Sequence, residues 1–330
     1  MSFRALGVIG AGLALCLLVG CAAARPVLVY QEGNVSITRM DYGGWHGCYR
    51  MSNGTADVVI VPQIARIMQY GPSGQEGLLF VNAPLTPQAP GWAPRGYPNY
   101  GGHKLWVAPQ RVWNWPPHTE LDRGPCTVDV LPDGALYVRG EDSPGAGVRF
   151  DRVLRLDREG TRLQIEQRMT NISDAPVTWA IWDVTQVASE GTAVIPLGPG
   201  AGTRFLEGAG PSAEWRLVEG AYLVSGPRRV QKVFVTGGPG WLAYRKDDRL
   251  LLKSFEILKA APPEPETPRE VWVGTDPFME LEFVGPEVTL APGQVATLTQ
   301  EWRFVTLGPD AASDEGLVRA ARQAAASVGL

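Results

Sequence analysis

Three carboxylates occupy positions where they could accept or donate protons. Glu280 and Glu282 are two residues apart in the apolar run Phe278–Phe283, so a strand would turn both toward one face. Asp183 follows Trp182 in another strongly apolar stretch, where burying a carboxylate without a partner is costly. Acid–base chemistry needs such groups, and glycoside hydrolysis needs two carboxyls about 5–10 Å apart. We therefore predict Glu280, Glu282 and Asp183 as catalytic candidates, with a buried Arg or Lys ion pair as the alternative for Asp183.

A second group of candidates lies in the segment Gly91–Asp122, which is rich in glycine, proline and aromatic residues. Flat apolar rings beside polar groups suit pyranose sugars, whose C–H faces stack while their hydroxyls need donors and acceptors. The alternative is an ordered loop that packs its own aromatic residues. Gly101-Gly102 predicts a positive φ, a close backbone approach or a simple turn. The ligand-binding candidates, from this segment and two apolar strands, are Arg66, His103, Lys104, Trp106, Trp113, Trp115, His118 and Trp182.

Several of these candidates have a plain structural alternative. Arg66 could form a salt bridge instead of facing a ligand. Lys104 could be a surface lysine rather than the partner of a hydroxyl or of a sugar carboxylate. Pro116-Pro117 could do no more than hold His118 in a turn. Lys253, on another apolar strand, is a weaker candidate.

The elements that must position these residues are strands. About sixteen short apolar or alternating segments, such as Leu163–Met169, are separated by turn signals such as Pro132-Asp133-Gly134. Strands without intervening helices favour stacked antiparallel sheets over a parallel sheet. Residues Asp310–Val328 predict one amphipathic helix packed on the outside. We predict a single all-β sandwich domain over residues 21–330 with a C-terminal helix.

The first twenty residues predict export. Arg4, an apolar run and small residues form the three-part plan of a signal peptide at 1–20, and the run is too short to span a membrane comfortably. Leu18-Val19-Gly20-Cys21 resembles the lipobox of bacterial lipoproteins, which implies a lipid anchor on Cys21. An ordinary signal peptide cut nearby is the alternative. We expect a membrane-tethered envelope protein, at the outer membrane if there are two, because Ala22 is not an acidic retention residue.

Composition excludes some functions. The formal net charge is −4 and the charges are dispersed, so no basic patch predicts nucleic-acid binding. After export, Cys48 and Cys126 remain; a disulfide between them and two free buried thiols are both open. The chain has three histidines and no CxxC pair, so we predict no metal site and no cofactor.

Several motifs together resemble the galactose mutarotase-like superfamily. They are Ser52-Asn53-Gly54 with Val58–Pro62 and Ala65-Arg66-Ile67, then Tyr100–Trp106, then Arg162–Asn171 with Thr178–Trp182, and finally Phe278–Phe283 with Leu290–Gly293. The GGHKLW form is similar to an uncharacterised branch, the DUF4380 type. The resemblance covers nearly the whole mature chain. It implies an antiparallel β-supersandwich that binds sugars in a cleft on one sheet.

The resemblance also shows a departure from the superfamily's enzymes. In aldose 1-epimerases a histidine protonates the ring oxygen of the sugar, and a glutamate takes the proton of the anomeric hydroxyl. The histidine position corresponds to Trp182 or Asp183 here, and the glutamate to Glu280 or Glu282. The usual acid is therefore missing from this chain.

The predicted function is a carbohydrate-binding envelope lipoprotein without the standard epimerase histidine, whose partners are a sugar or glycan and the membrane. The alternative is an aldose 1-epimerase-type enzyme that uses Glu280 or Glu282 as base. Its acid would then be Asp183, His103 or Lys104. Glycan cleavage and a structural role without ligand binding rank lower.

Overall fold

The structure is a computed structural model. It describes residues 25–88, 96–206, 215–226, 230–275 and 277–330. The predicted signal peptide and Cys21 lie outside the described residues, as do positions 91–95 of the aromatic segment. Within the described ranges, no helix is long and apolar enough to cross a bilayer.

Strands dominate the described residues. In chain order they are β1 (Val27–Glu32), β2 (Val35–Tyr42), β3 (Trp45–Ser52), β4 (Ala56–Val61), β5 (Arg66–Pro72), β6 (His103–Ala108), β7 (Thr127–Val130), β8 (Leu136–Ser143), β9 (Val148–Leu156), β10 (Leu163–Asn171), β11 (Val177–Ala188), β12 (Thr192–Pro196), β13 (Gly202–Phe205), β14 (Trp215–Val218), β15 (Ala221–Ser225), β16 (Gln231–Thr236), β17 (Trp241–Lys246), β18 (Arg249–Phe255), β19 (Arg269–Val273), β20 (Phe278–Val284), β21 (Val288–Leu290) and β22 (Val295–Thr306).

These strands form two antiparallel sheets. The larger sheet has the order β1-β2-β3-β4-β5-β6-β11-β20-β19-β16-β13, with β21 beside β11. The smaller sheet has the order β14-β15-β12-β17-β18-β22-β10-β9-β8-β7. Neighbouring strands in both sheets run antiparallel, so the prediction of stacked antiparallel sheets is confirmed.

The two sheets face each other across one apolar core, and β10 shows how the sequence builds it. Its alternate residues Leu163, Ile165 and Met169 are fully buried and meet Leu281 and Phe283 of the larger sheet in one cluster. Burying each side chain of this kind stabilises the fold by about 1.5–3 kcal/mol. A slip of one residue would turn this set outward, so the apolar pattern fixes the register.

Two α-helices occur in the described residues, α1 (Thr119–Arg123) and α2 (Asp314–Ala326). The hydroxyl of Ser313 caps α2 by accepting the N–H of its third residue at 3.0 Å. Leu317 and its neighbours then pack on the outer face of the smaller sheet. The predicted all-β sandwich with a C-terminal helix is correct, although the first predicted helical residues form a separate 3₁₀ turn, Pro309–Ala312.

The cysteines correct one suggestion from the sequence, because Cys48 and Cys126 are both free thiols. Cys48 packs in a separate cluster on the outer face of the larger sheet, where its Sγ contacts the Trp45 carbonyl oxygen at 3.6 Å. Cys126 packs against the main core between the sheets. Burial raises the pKa of each thiol to about 11. They are two separate thiols, which was the alternative to a disulfide.

Candidate functional site

The outer face of the larger sheet, turned away from the smaller sheet, carries most of the polar candidates. Residues that oppose each other across antiparallel strands share a face. On β6 and β11, Trp106 lies opposite Trp182 and Lys104 lies opposite Val184. Val184 in turn opposes Glu282 on β20. The register therefore brings the lysine, the two tryptophans and the glutamate onto one surface.

The same face continues in four more residue pairs. Glu280 lies opposite Gln186 of β11 on one side and Trp272 of β19 on the other. Glu270 of β19 opposes Glu282, and Lys232 of β16 opposes Trp272. Five adjacent strands thus supply carboxylates, ammonium groups and aromatic rings to one patch.

A cavity of about 850 Å³ lies over this patch, and we call it the outer cavity. Its volume falls within the range of about 300–1,000 Å³ that small-molecule sites occupy. Seven of the predicted site residues line it, namely Lys104, Trp106, Trp113, Trp115, Trp182, Glu280 and Glu282. The structure therefore brings both glutamates and the aromatic segment to one place.

One wall of the outer cavity is built from indole rings. The ring centroids of Trp106 lie 5.5 Å from Trp182, 6.0 Å from Trp113 and 6.1 Å from Trp115, all near edge-to-face. Tyr97 continues the wall 4.7 Å from Trp115. Trp115 is 55% exposed, so part of its ring is open to a ligand. Edge-to-face packing holds the rings rigidly while leaving faces available for stacking.

Lys232 occupies the floor between two carboxylates. Its Nζ lies 2.5 Å from Glu270 Oε2 and 2.8 Å from Glu282 Oε2. Trp182 Nε1 donates to the same oxygen of Glu282 at 2.9 Å. Burial opposes the charge of Lys232, but the two carboxylates outweigh it and raise the pKa of Lys232. Burial raises the pKa of Glu270 to about 8 despite the lysine.

Glu280 is the carboxylate most open to the outer cavity among these three. Its side chain is 11% exposed, against 1% for Glu282 and 0% for Glu270. Glu280 Oε1 accepts from Gln186 Nε2 at 2.8 Å and lies 3.5 Å from Lys104 Nζ. Burial raises the pKa of Glu280 and lowers the pKa of Lys104. Glu280 and Lys104 are thus in contact, and their pKa values are shifted toward each other.

Asp122, on α1, ties the aromatic wall to the sheet. Its Oδ1 accepts from Tyr97 Oη and from Trp106 Nε1, each at 2.9 Å, and its Oδ2 accepts from Arg66 at 3.0 Å. Burial opposes the charge of Asp122, but Arg66 and Lys104 outweigh it and lower its pKa. Arg66 is fully buried and does not line the outer cavity. The predicted ligand contact is therefore corrected to the salt bridge that was its alternative.

The two glycines before β6 permit the chain to enter the sheet. Gly101 and Gly102 both have positive φ, at 95° and 73°. A Cβ on Gly101 would lie 2.3 Å from the Phe80 carbonyl oxygen, and one on Gly102 would lie 2.5 Å from the Ile67 carbonyl oxygen. Both predicted reasons for glycine, positive φ and close backbone approach, therefore apply.

The inner face of the same strands carries a second polar group, enclosed between the sheets. Asp183 is its centre, because Lys253 Nζ donates to Oδ1 at 2.6 Å and His103 Nε2 lies 2.5 Å from Oδ2. Gln167 and Gln300 of the smaller sheet also donate to Oδ2. All five side chains are at most 1% exposed. We call these five residues the inner ion cluster.

This placement corrects the predictions for His103 and Asp183, which do not line the outer cavity. Each is the sequence neighbour of a residue that does, Lys104 and Trp182, and a strand turns successive side chains to opposite faces. Asp183 is also on the wrong face to act with Glu280 on one glycosidic bond. The buried lysine ion pair, which was the alternative for Asp183, is what the structure shows.

Protonation in the inner ion cluster follows from its enclosure. Burial opposes the charge of Asp183, but Lys253 and His103 outweigh it and lower the pKa of Asp183. Burial lowers the pKa of His103 to about 4, although Asp183 opposes this. At neutral pH His103 is therefore a neutral imidazole that donates from Nε2. Lys253 Nζ also donates at 3.1 Å to the carbonyl of Leu281, the residue between the two glutamates of the outer cavity.

His118 is likewise outside the outer cavity. It lies immediately before α1, and its ring packs behind the aromatic wall with a centroid distance of 6.3 Å to Trp113. The predicted ligand contact is therefore corrected to the turn position that was its alternative.

Sequence reasoning missed Lys232, Gln186 and Trp272, which line the outer cavity. A signal for Lys232 and Trp272 existed in the alternation of polar or aromatic residues with valine in Lys232–Val235 and Glu270–Val273. Across the ranges that the structure describes, no cluster of three or more His, Cys, Asp or Glu residues could hold a metal ion.

The fold is similar to several solved structures. One is a galactose mutarotase-like protein from Clostridium acetobutylicum, with TM-score 0.53 and 10% identity over 84% of this chain and 100% of that chain. Another is a galactose mutarotase related enzyme from Lactobacillus acidophilus, with TM-score 0.52 and 10% identity over 79% and 98%. A third is a TPR-domain containing protein from Parabacteroides distasonis, with TM-score 0.55 and 14% identity over 81% and 48%.

This chain spans about half the length of the Parabacteroides protein. At such low identities the likeness shows the fold alone, which is the galactose mutarotase-like β-supersandwich that the motifs predicted. None of the curated proteins matches the sequence. Residues 48–305, which include the strands of the outer cavity and of the inner ion cluster, match the family model described as a domain of unknown function, DUF4380. The chain therefore belongs to the DUF4380 family.

Proposed function

We propose that the chain binds a carbohydrate in the outer cavity. The observation that carries this proposal is the combination of an indole wall with a floor of hydrogen-bonding groups in one cavity of about 850 Å³. Sugars need both, because their C–H faces stack on aromatic rings and their hydroxyls bind polar groups. The names of the similar structures, galactose mutarotase-like and galactose mutarotase related, give independent support.

Trp115 is the residue whose loss should weaken sugar binding with least harm to the fold, because it is 55% exposed. Trp115→Ala is expected to lower the affinity for the best-binding sugar about tenfold, as loss of a stacking ring at a binding hot spot does. Saturation-transfer NMR with a panel of mono- and oligosaccharides measures this. Leu217→Ala, which truncates an exposed residue of the smaller sheet, is the matched control and should leave the affinity unchanged. Absence of binding by the wild-type chain to every sugar would refute the proposal.

A second candidate function is anomer exchange of an aldose, favoured by the contact between Glu280 and Lys104. Glu280 would take the proton of the anomeric hydroxyl while the Lys104 ammonium protonates the ring oxygen. The bond between C1 and the ring oxygen then breaks to give the open-chain aldehyde, which recloses on its other face. Burial suits the pair to this task, because it raises the pKa of the base and lowers the pKa of the acid. Lys104 is the one of the three suggested acids that faces the outer cavity.

This alternative makes its own prediction. NMR exchange spectroscopy on the α and β anomers of aldoses should show exchange accelerated by the wild-type chain. Glu280→Gln should abolish the acceleration, because an amide cannot accept the proton. Glu76→Gln, which changes an exposed carboxylate away from the outer cavity, should retain it. Binding without accelerated exchange would leave a carbohydrate-binding protein without turnover.

We also propose that the chain is exported and tethered to the cell envelope through a lipid on Cys21. The lipobox-like Leu18-Val19-Gly20-Cys21 supports this. In a bacterial host fed an alkyne-tagged fatty acid, the wild-type chain is expected to take up the label. Cys21→Ser should lose it, whereas Cys16→Ser, which removes the neighbouring cysteine of the signal, should keep it. Equal labelling of the Cys21→Ser and wild-type chains would contradict the tether.

A further inference from the structure

Two amide oxygens of the outer cavity lack a hydrogen-bond donor. Gln186 Oε1 and Asn99 Oδ1 are buried, and no group in the described part of the chain donates to either of them. Both residues line the outer cavity, and Gln186 is only 1% exposed. A buried acceptor without a donor is costly, so folded proteins keep few of them. These two acceptors therefore point to a ligand that donates.

The surrounding hydrogen bonds hold the Gln186 amide and the backbone at Asn99 in place. Gln186 Nε2 donates to Glu280 Oε1 at 2.8 Å, which fixes the plane of the amide and leaves Oε1 free. On the other side, Asn82 Nδ2 donates to the backbone carbonyl of Asn99 at 2.9 Å. The backbone of the same short segment links the two, because Phe80 N donates to the Gln186 carbonyl at 2.9 Å. The Gln186 acceptor is thus preorganised, and the backbone that carries Asn99 is held to a neighbouring segment.

We propose that Gln186 Oε1 and Asn99 Oδ1 form an acceptor subsite that binds two hydroxyl groups of an uncharged saccharide, a step that rests on the proposed carbohydrate binding. Hydroxyls supply the missing donors. A sugar ammonium would also donate, but Lys104 already lies 3.5 Å from Glu280 at this end of the cavity, so the ammonium would find no uncompensated carboxylate there to offset its desolvation. A sugar carboxylate brings no donor to either amide oxygen.

The test combines changes in the protein with changes in the ligand. The probes are D-glucose, D-galactose and their monodeoxy analogues, each of which lacks one hydroxyl. We expect one analogue to bind the wild-type chain about tenfold more weakly than its parent sugar. Gln186→Met, which keeps the length of the side chain but removes the acceptor, should bind that analogue and the parent equally. The two changes, removal of the sugar hydroxyl and removal of the Gln186 amide, would then be non-additive, as expected for groups in contact. A merely structural role for Gln186 would weaken binding of the parent sugar and of the analogue alike.

Asn99→Leu provides a second, independent variant, and it should lose the distinction between the parent and a different monodeoxy analogue. Gln31→Met, on the exposed edge strand β1, is the matched control and should behave as the wild-type chain. D-Glucosamine and D-glucuronate should both bind more weakly than the parent sugar. The subsite would be overturned if the monodeoxy analogues lost the same affinity, relative to the parent sugar, in the wild-type chain and in both variants. Tighter binding of either charged sugar would also overturn it. Either result would leave carbohydrate binding in place. If no sugar binds the wild-type chain, the proposed function itself fails.

Discussion

Lys253→Met is expected to lower the free energy of unfolding by about 3–5 kcal/mol, because it leaves the Asp183 carboxylate buried without its lysine. The Nζ of Lys253 donates to Asp183 Oδ1 and to Thr185 Oγ1, each at 2.6 Å, and both charged side chains are fully buried. Urea denaturation at neutral pH measures the change.

Two further variants identify the cause of this loss. Lys246→Met removes a lysine of β17 whose partner, Glu76, is 85% exposed, so it should cost less than about 1 kcal/mol. Adding Asp183→Asn to Lys253→Met removes the unpaired charge and should restore a large part of the stability. A loss below about 1 kcal/mol for Lys253→Met would show that the inner ion cluster is not closed to solvent.

The second large effect is a loss of stability in mild acid that originates at His103. Its folded-state pKa of about 4 lies below the value of about 6.5 for an unfolded histidine. Above pH 6.5 the imidazole is neutral in both states and costs nothing. As the pH falls toward 4, the unfolded chain binds a proton that the folded chain does not bind, so stability decreases. The full effect of this one group is about 3 kcal/mol and levels off below the folded-state pKa.

Comparison with a variant isolates this contribution from the other titrating groups. His103→Asn lacks the imidazole, so its free energy of unfolding should fall less than that of the wild-type chain between pH 7 and pH 4. His46→Asn, which removes a histidine whose side chain is 82% exposed, should follow the wild-type chain. Urea denaturation at several pH values gives both curves. Parallel curves for the wild-type chain and His103→Asn would contradict the buried neutral imidazole.

Local patterns in the sequence were sufficient to predict the strands, the stacked antiparallel sheets and the C-terminal helix. The alternation in Leu163–Met169 is confirmed by β10, and the amphipathic C-terminal segment forms α2. These predictions succeed because a strand with one solvated face must alternate, and a helix on a sheet must carry an apolar stripe. The order of the strands depends on contacts between distant parts of the chain, which no local pattern contains. The resemblance to the mutarotase-like superfamily supplied the supersandwich fold but not the strand order.

The candidate site was only partly predictable, and the reason is geometric. His103 and Lys104, like Trp182 and Asp183, are neighbours that point to opposite faces of β6 and β11. Both strands are largely buried on each face, so apolar residues occur on both faces and the pattern does not show which polar residues point inward. Composition could identify the groups capable of chemistry. Only the packing of the smaller sheet, which brings Lys253 to Asp183, decides which of them are enclosed.

The indole wall gives the molecule a built-in optical probe. The chain has eleven tryptophans, and of those within the described residues five line the outer cavity, namely Trp106, Trp113, Trp115, Trp182 and Trp272. Their fluorescence depends on the polarity around each ring, and the 5.5 Å contact between Trp106 and Trp182 is close enough for their electronic transitions to couple. Emission and near-ultraviolet circular dichroism of the unlabelled chain are therefore weighted toward this one region. Events in the outer cavity can be followed by light without any attached dye.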